Sequence, residues 1–88
     1  MDIIITKKKP DPMGSATWYY GTAGEYAFEA KVYGEPSIFG IDEGRISKLW
    51  MMQPPGWTPV ATYDRGWDRL PRTQEQIDCL QAIIDALT

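Results

Sequence analysis

The chain has 88 residues, among them four tryptophans, five tyrosines and two phenylalanines, and its formal net charge is −3. A chain of this length forms one small domain, which buries roughly 60–65% of the surface exposed by the unfolded chain. It has no histidine and one cysteine, Cys79, which excludes Ser-His-Asp and Cys-His catalysis, a zinc cluster and an intrachain disulfide. The lone cysteine fits a reducing cytoplasm, and no apolar run has the length of a membrane span or of a secretory signal.

Charge is distributed unevenly along the chain. Lys7, Lys8 and Lys9 are consecutive, whereas the sequence from Pro10 onward has six basic and eleven acidic residues, a net charge of −5. Nucleic-acid binding requires a basic face that neutralises phosphates. The sequence therefore predicts no direct general nucleic-acid binding, and it favours a basic protein partner.

The N-terminal segment, residues 1–15, is predicted to be an extended stretch over Asp2–Thr6 followed by a polar linker, KKKPDPMGS. Two prolines and the lysine triplet disfavour regular structure in this linker. The isoleucines of the extended stretch could form an edge strand, including one shared across a homodimer, or a loosely held terminus. Residues 16–88 are predicted to form a single α+β domain.

The next two segments predict a β-hairpin. Thr17–Thr22 is aromatic and β-branched, Ala23-Gly24 suits a turn, and Glu25–Tyr33 alternates apolar and polar residues. This alternation predicts one buried and one wetter face for the second strand. The predicted buried residues are Tyr26, Phe28, Ala30 and Val32.

The middle of the chain predicts shorter strands separated by turns. Ile38–Ile41 is predicted as a short strand, and the turn after it is expected to use Gly44 for its positive φ. Arg45–Met52 has apolar residues at both odd and even positions, which is typical of a central strand covered on two sides. Residues 53–59 contain three prolines and predict a loop.

Val60–Tyr63 is predicted as the last short strand, and Asp64-Arg65-Gly66 as a turn with Gly66 in the left-handed conformation.

The C-terminal segment predicts the only helix, with Thr73 and Gln76 forming a capping box. Cys79 is expected at the margin of its apolar stripe, which consists of Ile77, Leu80, Ile83, Ile84 and Leu87.

These elements predict an α+β fold, an antiparallel β-meander of four to five strands with one C-terminal helix packed on one face. A helix is about 10 Å wide, whereas neighbouring strands are spaced by about 4.8 Å. One helix cannot cover four strands, so part of the sheet is expected to stay open, to be covered by a loop or to pair with another subunit.

Candidate binding residues are the aromatic and cationic side chains of the predicted strands and turns. Arg45 and Lys48 lie near Trp50 and could bind an anionic ligand such as a nucleotide, with the indole stacking on its base. Alternatively, Arg45 pairs with a carboxylate of the preceding turn and Lys48 reaches water. The predicted ligand- or partner-binding residues are Trp18, Tyr20, Tyr33, Arg45, Lys48, Trp50, Tyr63 and Arg65.

Two patterns allow a carboxylate-bound metal as an alternative. Glu29-Ala30-Lys31 has the E-x-K spacing found in part of a nuclease metal site, but the upstream aspartates lie in the terminal segment. Asp64 and Asp68 flank Arg65 and could hold a cation, although two carboxylates beside an arginine more often form a salt-bridged turn. We therefore predict no catalytic residue, no metal site and no cofactor.

Three blocks of the sequence are recognisable: WYYGTAGEYAFEAKVY (Trp18–Tyr33), EPSIFGIDEGRISKLW (Glu35–Trp50) and YDRGWDRLP (Tyr63–Pro71). With their FGI-x-x-GRISKL and YDRGWD motifs, they resemble a family of small uncharacterised proteins encoded in Firmicutes genomes, their prophages and conjugative elements. The resemblance runs from about Trp18 to the C-terminus. It implies a genomic context and no particular activity.

The function expected from size, acidity and this resemblance is that of a small non-enzymatic binding module of phage or mobile-element type. Such a module would inhibit a host protein, for example a defence nuclease, by occluding a basic nucleic-acid-binding cleft. The alternative is a small-ligand binder that sequesters a nucleotide-type anion through Arg45, Lys48, Trp50 and Tyr63.

Overall fold

The computed structural model describes residues 2–88, which form one six-stranded antiparallel sheet and one α-helix. The strands are neighbours in chain order, so the sheet is a meander. The α+β class and the terminal helix agree with the sequence prediction, but the expected four to five strands are too few. The elements are β1 (Ile3–Pro10), β2 (Ala16–Ala23), β3 (Tyr26–Tyr33), β4 (Ile46–Gln53), β5 (Thr58–Asp64), β6 (Trp67–Arg69) and α1 (Gln74–Leu87).

Strand β1 continues through the lysine triplet, where the sequence predicts an irregular linker. It pairs with β2 from Ile3 opposite Ala23 to Pro10 opposite Thr17, with a bulge near its middle. The strand persists because the lysines lie against β2 rings; the Lys7 and Lys8 Nζ atoms are 5.7 and 5.6 Å from ring centroids of Tyr20 and Tyr19. Met1, also part of the predicted N-terminal segment, lies outside the described residues.

Strands β2 and β3 form the predicted hairpin. Gly24 has a φ of 60° in the two-residue turn between Ala23 and Tyr26, which pair with each other. The predicted inward face of β3 is confirmed, because Tyr26, Phe28, Ala30 and Val32 are all buried. On β2, a Cβ at Gly21 would collide with the Ile4 carbonyl oxygen, so the close approach of β1 requires glycine.

Strand β4 contains a bulge that reverses its inside-outside pattern. Ile46 pairs with Val32 and Lys48 pairs with Lys31, so that Ser47 is an extra residue on β4. Ile46, at an even position, therefore shares the buried face with Leu49 and Met51, which are at odd positions. This offset of one residue explains why apolar residues occur at both odd and even positions of β4, although only one face of the strand is buried in the core. The buried β4 residues are Ile46, Ser47, Leu49 and Met51, and Trp50 and Met52 are only partly buried.

The turns around β4 and β5 differ from the predicted ones. A 3-10 turn over Ile41–Glu43 replaces the short strand predicted at Ile38–Ile41. Positive φ angles occur at Asp42 and Glu43 (53° and 56°), at Trp57 (54°) and at Arg65 (56°), whereas Gly44 and Gly66 have other conformations. Aspartate tolerates this region more readily than most residues, and the Arg65 N–H donates to the Ser47 carbonyl oxygen at 3.0 Å. The predicted loop 53–59 is shorter, since β4 ends at Gln53 and β5 begins at Thr58, and β6 was not predicted.

Helix α1 begins with the predicted capping box. The Thr73 Oγ1 accepts from the Gln76 N–H at 3.1 Å, and the Gln76 Oε1 accepts from the Thr73 N–H at 3.3 Å. The buried stripe is rotated from the predicted one, because Ile77 is 45% exposed and Cys79 is fully buried with its Sγ 3.4 Å from the Ala23 carbonyl oxygen. The buried helix residues are Cys79, Leu80, Ile83 and Leu87.

Helix α1 packs on one face of the sheet, where its buried residues join those of β2 to β5 in one hydrophobic core. The opposite face, here called the open face, has no second layer of secondary structure within residues 2–88. No helix in this part of the chain has the length and apolar character required to cross a membrane.

Candidate anion-binding cleft and open sheet face

The open face presents two rows of side chains that run across the strands. Cross-strand pairing defines both rows, because directly paired residues point to the same face of a sheet. The first row consists of Lys9, Trp18, Lys31, Lys48 and Asp64. The second row consists of Lys7, Tyr20, Glu29, Trp50, Thr62 and Arg69.

Four of the eight predicted site residues lie in these rows: Trp18, Tyr20, Lys48 and Trp50. All four are partly exposed. The rings of Trp18 and Tyr20 have centroids 6.5 Å apart and an interplanar angle of 26°. Trp18 lies between Lys9 and Lys31, and Tyr20 lies between Lys7 and Glu29, so the open face presents aromatic rings beside lysines.

Arg45 and Tyr63 do not join this group. The Arg45 Nη2 donates to the Leu87 carbonyl oxygen at 3.3 Å, where a cation stabilises the C-terminal end of α1. It pairs with neither carboxylate of the preceding turn. Tyr63 is buried on the helix side, and its hydroxyl donates to the Phe39 carbonyl oxygen at 2.8 Å. Tyr63 thus positions the loop after β3 and has no exposed ring for a ligand.

A cleft of about 960 Å³ lies where the open face meets the loop after β3 and the turn between β5 and β6. It includes three predicted site residues, Tyr33, Lys48 and Arg65. We call it the Ser47 cleft, after the residue at the β4 bulge. Its lining consists of Ser15, Lys31, Tyr33, Gly34, Glu35, Ser37, Phe39, Ser47, Lys48 and Arg65.

Ser47 is the most unusual residue of the cleft. Its side chain is 7% exposed, and its Oγ is the one buried side-chain polar atom within residues 2–88 that has no hydrogen-bond partner. A buried hydroxyl without a partner costs about 1–3 kcal/mol of stability. The bulge causes this placement, because it inserts Ser47 between the inward Ile46 and the outward Lys48.

Three cations and one carboxylate, Glu35, line the Ser47 cleft. The Lys31 Nζ lies 3.2 Å from the Asp11 Oδ2, and this hydrogen-bonded pair raises the pKa of Lys31. The pKa of Asp11 is lowered mainly by the hydrogen bond from the Met13 N–H and, to a smaller extent, by the hydrogen bond from Lys31. Lys48 and Arg65 instead share the Asp64 carboxylate at 3.9 Å each, a long contact that leaves most of their donors free.

Sequence reasoning missed Lys31, Ser47 and Phe39 as members of this cleft. The signal for Lys31 was its place on the polar face of an alternating strand, and the signal for Ser47 was the break in the β4 pattern. Phe39 had no local signal, because the hydrogen bond from Tyr63 to its carbonyl oxygen is a tertiary contact.

The residues considered for metal binding are dispersed. Glu29 lies between Tyr20 and Trp50 in the second row, and Asp64 contacts two cations. Over residues 2–88, no three histidine, cysteine or acidic side chains come close enough to hold a metal ion. Burial raises the pKa of the Cys79 thiol to about 11, so this buried thiol is protonated at neutral pH.

Neither the curated proteins nor the solved structures contain a match to this chain. A family model described as a domain of unknown function, DUF7678, matches residues 17–88, a range that begins within β2 and leaves out β1. Because the model covers most of the sequence, the chain belongs to the DUF7678 family.

Proposed function

We propose that this chain is a small non-catalytic binding module whose Ser47 cleft takes an anionic ligand of nucleotide type. One observation carries the proposal: the buried Ser47 hydroxyl has no partner in a cleft that three cationic side chains line. A ligand that accepts a hydrogen bond there would offset the cost of the unsatisfied hydroxyl.

The cleft chemistry suits a phosphate attached to a planar group. The Ser47 hydroxyl, the Lys48 ammonium and the Arg65 guanidinium can all donate to phosphate oxygens. Tyr33 and Phe39 add partly exposed aromatic surface for a base. The volume of about 960 Å³ lies within the usual range for small-molecule sites, about 300–1,000 Å³.

A thermal-shift screen tests the proposal. The probes are adenine and guanine nucleotides, with pyrophosphate as a probe that lacks a base. A ligand at a hundred times its Kd should increase the free energy of unfolding by about 2.7 kcal/mol. This increase raises Tm by roughly 10–20 °C in a domain of this size. Lys48→Ala and Arg65→Ala should reduce the shift, whereas Arg72→Ala, outside the cleft, should not. Flat melting curves with every probe would refute the proposal.

Inhibition of a host protein by a module of phage or mobile-element origin stays a second proposal. One feature favours it: α1 has three exposed acidic residues, Glu75, Asp78 and Asp85, and no basic residue. This acidic surface would suit a partner with a basic nucleic-acid-binding cleft in the cytoplasm. Reversing two charges, with Asp78→Lys and Asp85→Lys, should abolish inhibition of a defence nuclease; unchanged inhibition would count against α1 as the contact.

A homodimer also remains a prediction. Within residues 2–88, strand β1 is an edge strand that pairs only with β2, so its outer edge is available for a second copy of the chain. Sedimentation of the purified protein at several concentrations distinguishes a monomer from a dimer.

A further inference from the structure

We propose that the open face binds single-stranded nucleic acid, with bases stacked on Trp18, Tyr20 and Trp50 and phosphates held by lysines at the edge of the sheet. This site is separate from the proposed small-ligand function of the Ser47 cleft and does not depend on it. The two share only Lys31 and Lys48.

The aromatic part of this surface lies on two neighbouring rows. Trp18 and Tyr20 are two residues apart on β2, and Trp50 lies two strands away in the row of Tyr20. All three are only partly buried although none of them lies on an edge strand of the six-stranded sheet. Exposed rings on a sheet are stacking platforms for unpaired bases, since every base has a π-face.

The charge of the rows is opposite to that of the whole chain. The rows contain five cations and two carboxylates, a net charge of +3, and the Asp11 carboxylate that pairs with Lys31 reduces it to +2, whereas the chain carries −3. The register of β1 causes the difference, because it puts Lys7 and Lys9 beside Tyr20 and Trp18. The acidic balance from Pro10 onward, from which the sequence predicts no general nucleic-acid binding, therefore conceals a basic face that complements a phosphate backbone.

A single strand suits this face better than a duplex. Base faces are accessible only when they are not stacked within a double helix. Glu29 lies between Tyr20 and Trp50 and opposes a phosphate backbone, so it is expected to limit affinity. Glu29→Gln removes this charge and keeps the shape of the side chain.

Fluorescence anisotropy with labelled oligonucleotides tests the proposal. The probes are single-stranded DNA, single-stranded RNA and a DNA duplex, each of about 12 nucleotides or base pairs. Both single strands should bind more tightly than the duplex. The ratio of the affinities for DNA and RNA shows which of the two nucleic acids is the preferred ligand. Three to four phosphate contacts predict that log K falls with log salt with a slope of roughly −2 to −3.

Variants of the aromatic rows test the stacking. Trp18→Ala or Trp50→Ala should weaken binding roughly 5- to 150-fold, and Trp18→Phe should keep most of it. Glu29→Gln should strengthen binding. Trp57→Ala is the matched control, because Trp57 is exposed in the turn between β4 and β5, outside both rows.

The lysine triplet contains its own control. Lys7 and Lys9 belong to the rows, whereas Lys8 pairs with Tyr19 on the other face. Lys7→Ala and Lys9→Ala should each weaken binding, and Lys8→Ala should not. Equal losses for all three would mean a non-specific basic segment and would overturn the proposal. Equal binding of the duplex would overturn the proposal too. So would full competition by inorganic polyphosphate together with no effect of Trp18→Ala or Trp50→Ala.

Discussion

Replacing Ser47 with alanine should stabilise the free protein and weaken its ligand binding at the same time. The Ser47 hydroxyl is buried without a partner, so that Ser47→Ala removes a desolvation cost of about 1–3 kcal/mol. The Cβ and its packing remain. A gain of about 1 kcal/mol raises Tm by roughly 4–8 °C in a domain of this size.

The same substitution removes a donor to the proposed phosphate. A hydrogen bond to a charged group contributes about 1.5–3 kcal/mol, so affinity for the nucleotide should fall roughly 10- to 150-fold. Urea unfolding followed by tryptophan fluorescence measures the stability, and calorimetric titration measures the affinity.

Ser37→Ala is the matched control for Ser47→Ala. Ser37 also lines the cleft, but its Oγ already accepts a hydrogen bond from the Phe39 N–H at 3.1 Å. Its replacement should therefore give no gain in stability. If Ser47→Ala destabilises the protein as much as Ser37→Ala or more, the Ser47 hydroxyl has a partner and the reasoning fails.

Two further predictions concern the core. Gly21→Ala should destabilise the protein by about 1–3 kcal/mol, because the new Cβ would collide with the backbone of β1; Gly34→Ala has open space and should be near neutral in urea unfolding. Equal effects of the two would refute the pairing of β1 with β2. Burial raises the pKa of Cys79 from 9.0 to about 11, so the folded chain binds this proton more tightly than the unfolded chain. The contribution of the Cys79 proton to the free energy of unfolding is complete below about pH 9. It should be lost between about pH 9 and 11, which lowers the free energy of unfolding by about 2–3 kcal/mol in total. In Cys79→Ala, the urea midpoint should fall less steeply with pH across this range. If it falls as steeply as in the unmodified protein, the raised pKa of Cys79 is refuted.

Local pattern was sufficient for the β2–β3 hairpin and for the start of α1. Alternation in β3 and the Thr73–Gln76 capping box depend on residues near each other in sequence, and both are confirmed. The course of β1 was not predictable in this way. Its lysines are held by contacts with tyrosines of β2 at least eleven residues away in the sequence.

The cleft could be predicted only in part. Tyr33, Lys48 and Arg65 were recognised individually, but their meeting depends on the Ser47 bulge and on the Arg65 N–H that bonds the Ser47 carbonyl oxygen. The break in the β4 pattern indicates an irregular strand but does not locate the extra residue, and a one-residue bulge reverses every later position of the strand. The contact of Arg45 with the Leu87 carbonyl oxygen was not predictable for a similar reason, since the C-terminal end of α1 approaches Arg45 only in the folded chain.

Small strand β6 shows the same limit. It has three residues, and its Trp67 ring packs edge-on against Tyr63 with centroids 5.0 Å apart. This contact between aromatic residues, together with pairing to β5, stabilises a strand too short for any periodic pattern.

An NMR titration of the isotope-labelled protein with ADP and GDP tests the central proposal most directly. The account predicts saturable shifts of amide signals around the Ser47 cleft, at residues 31–39, 47–48 and 64–66, with the outer face of α1 unchanged. Shifts centred on α1, or no saturable shifts with either nucleotide, would contradict it.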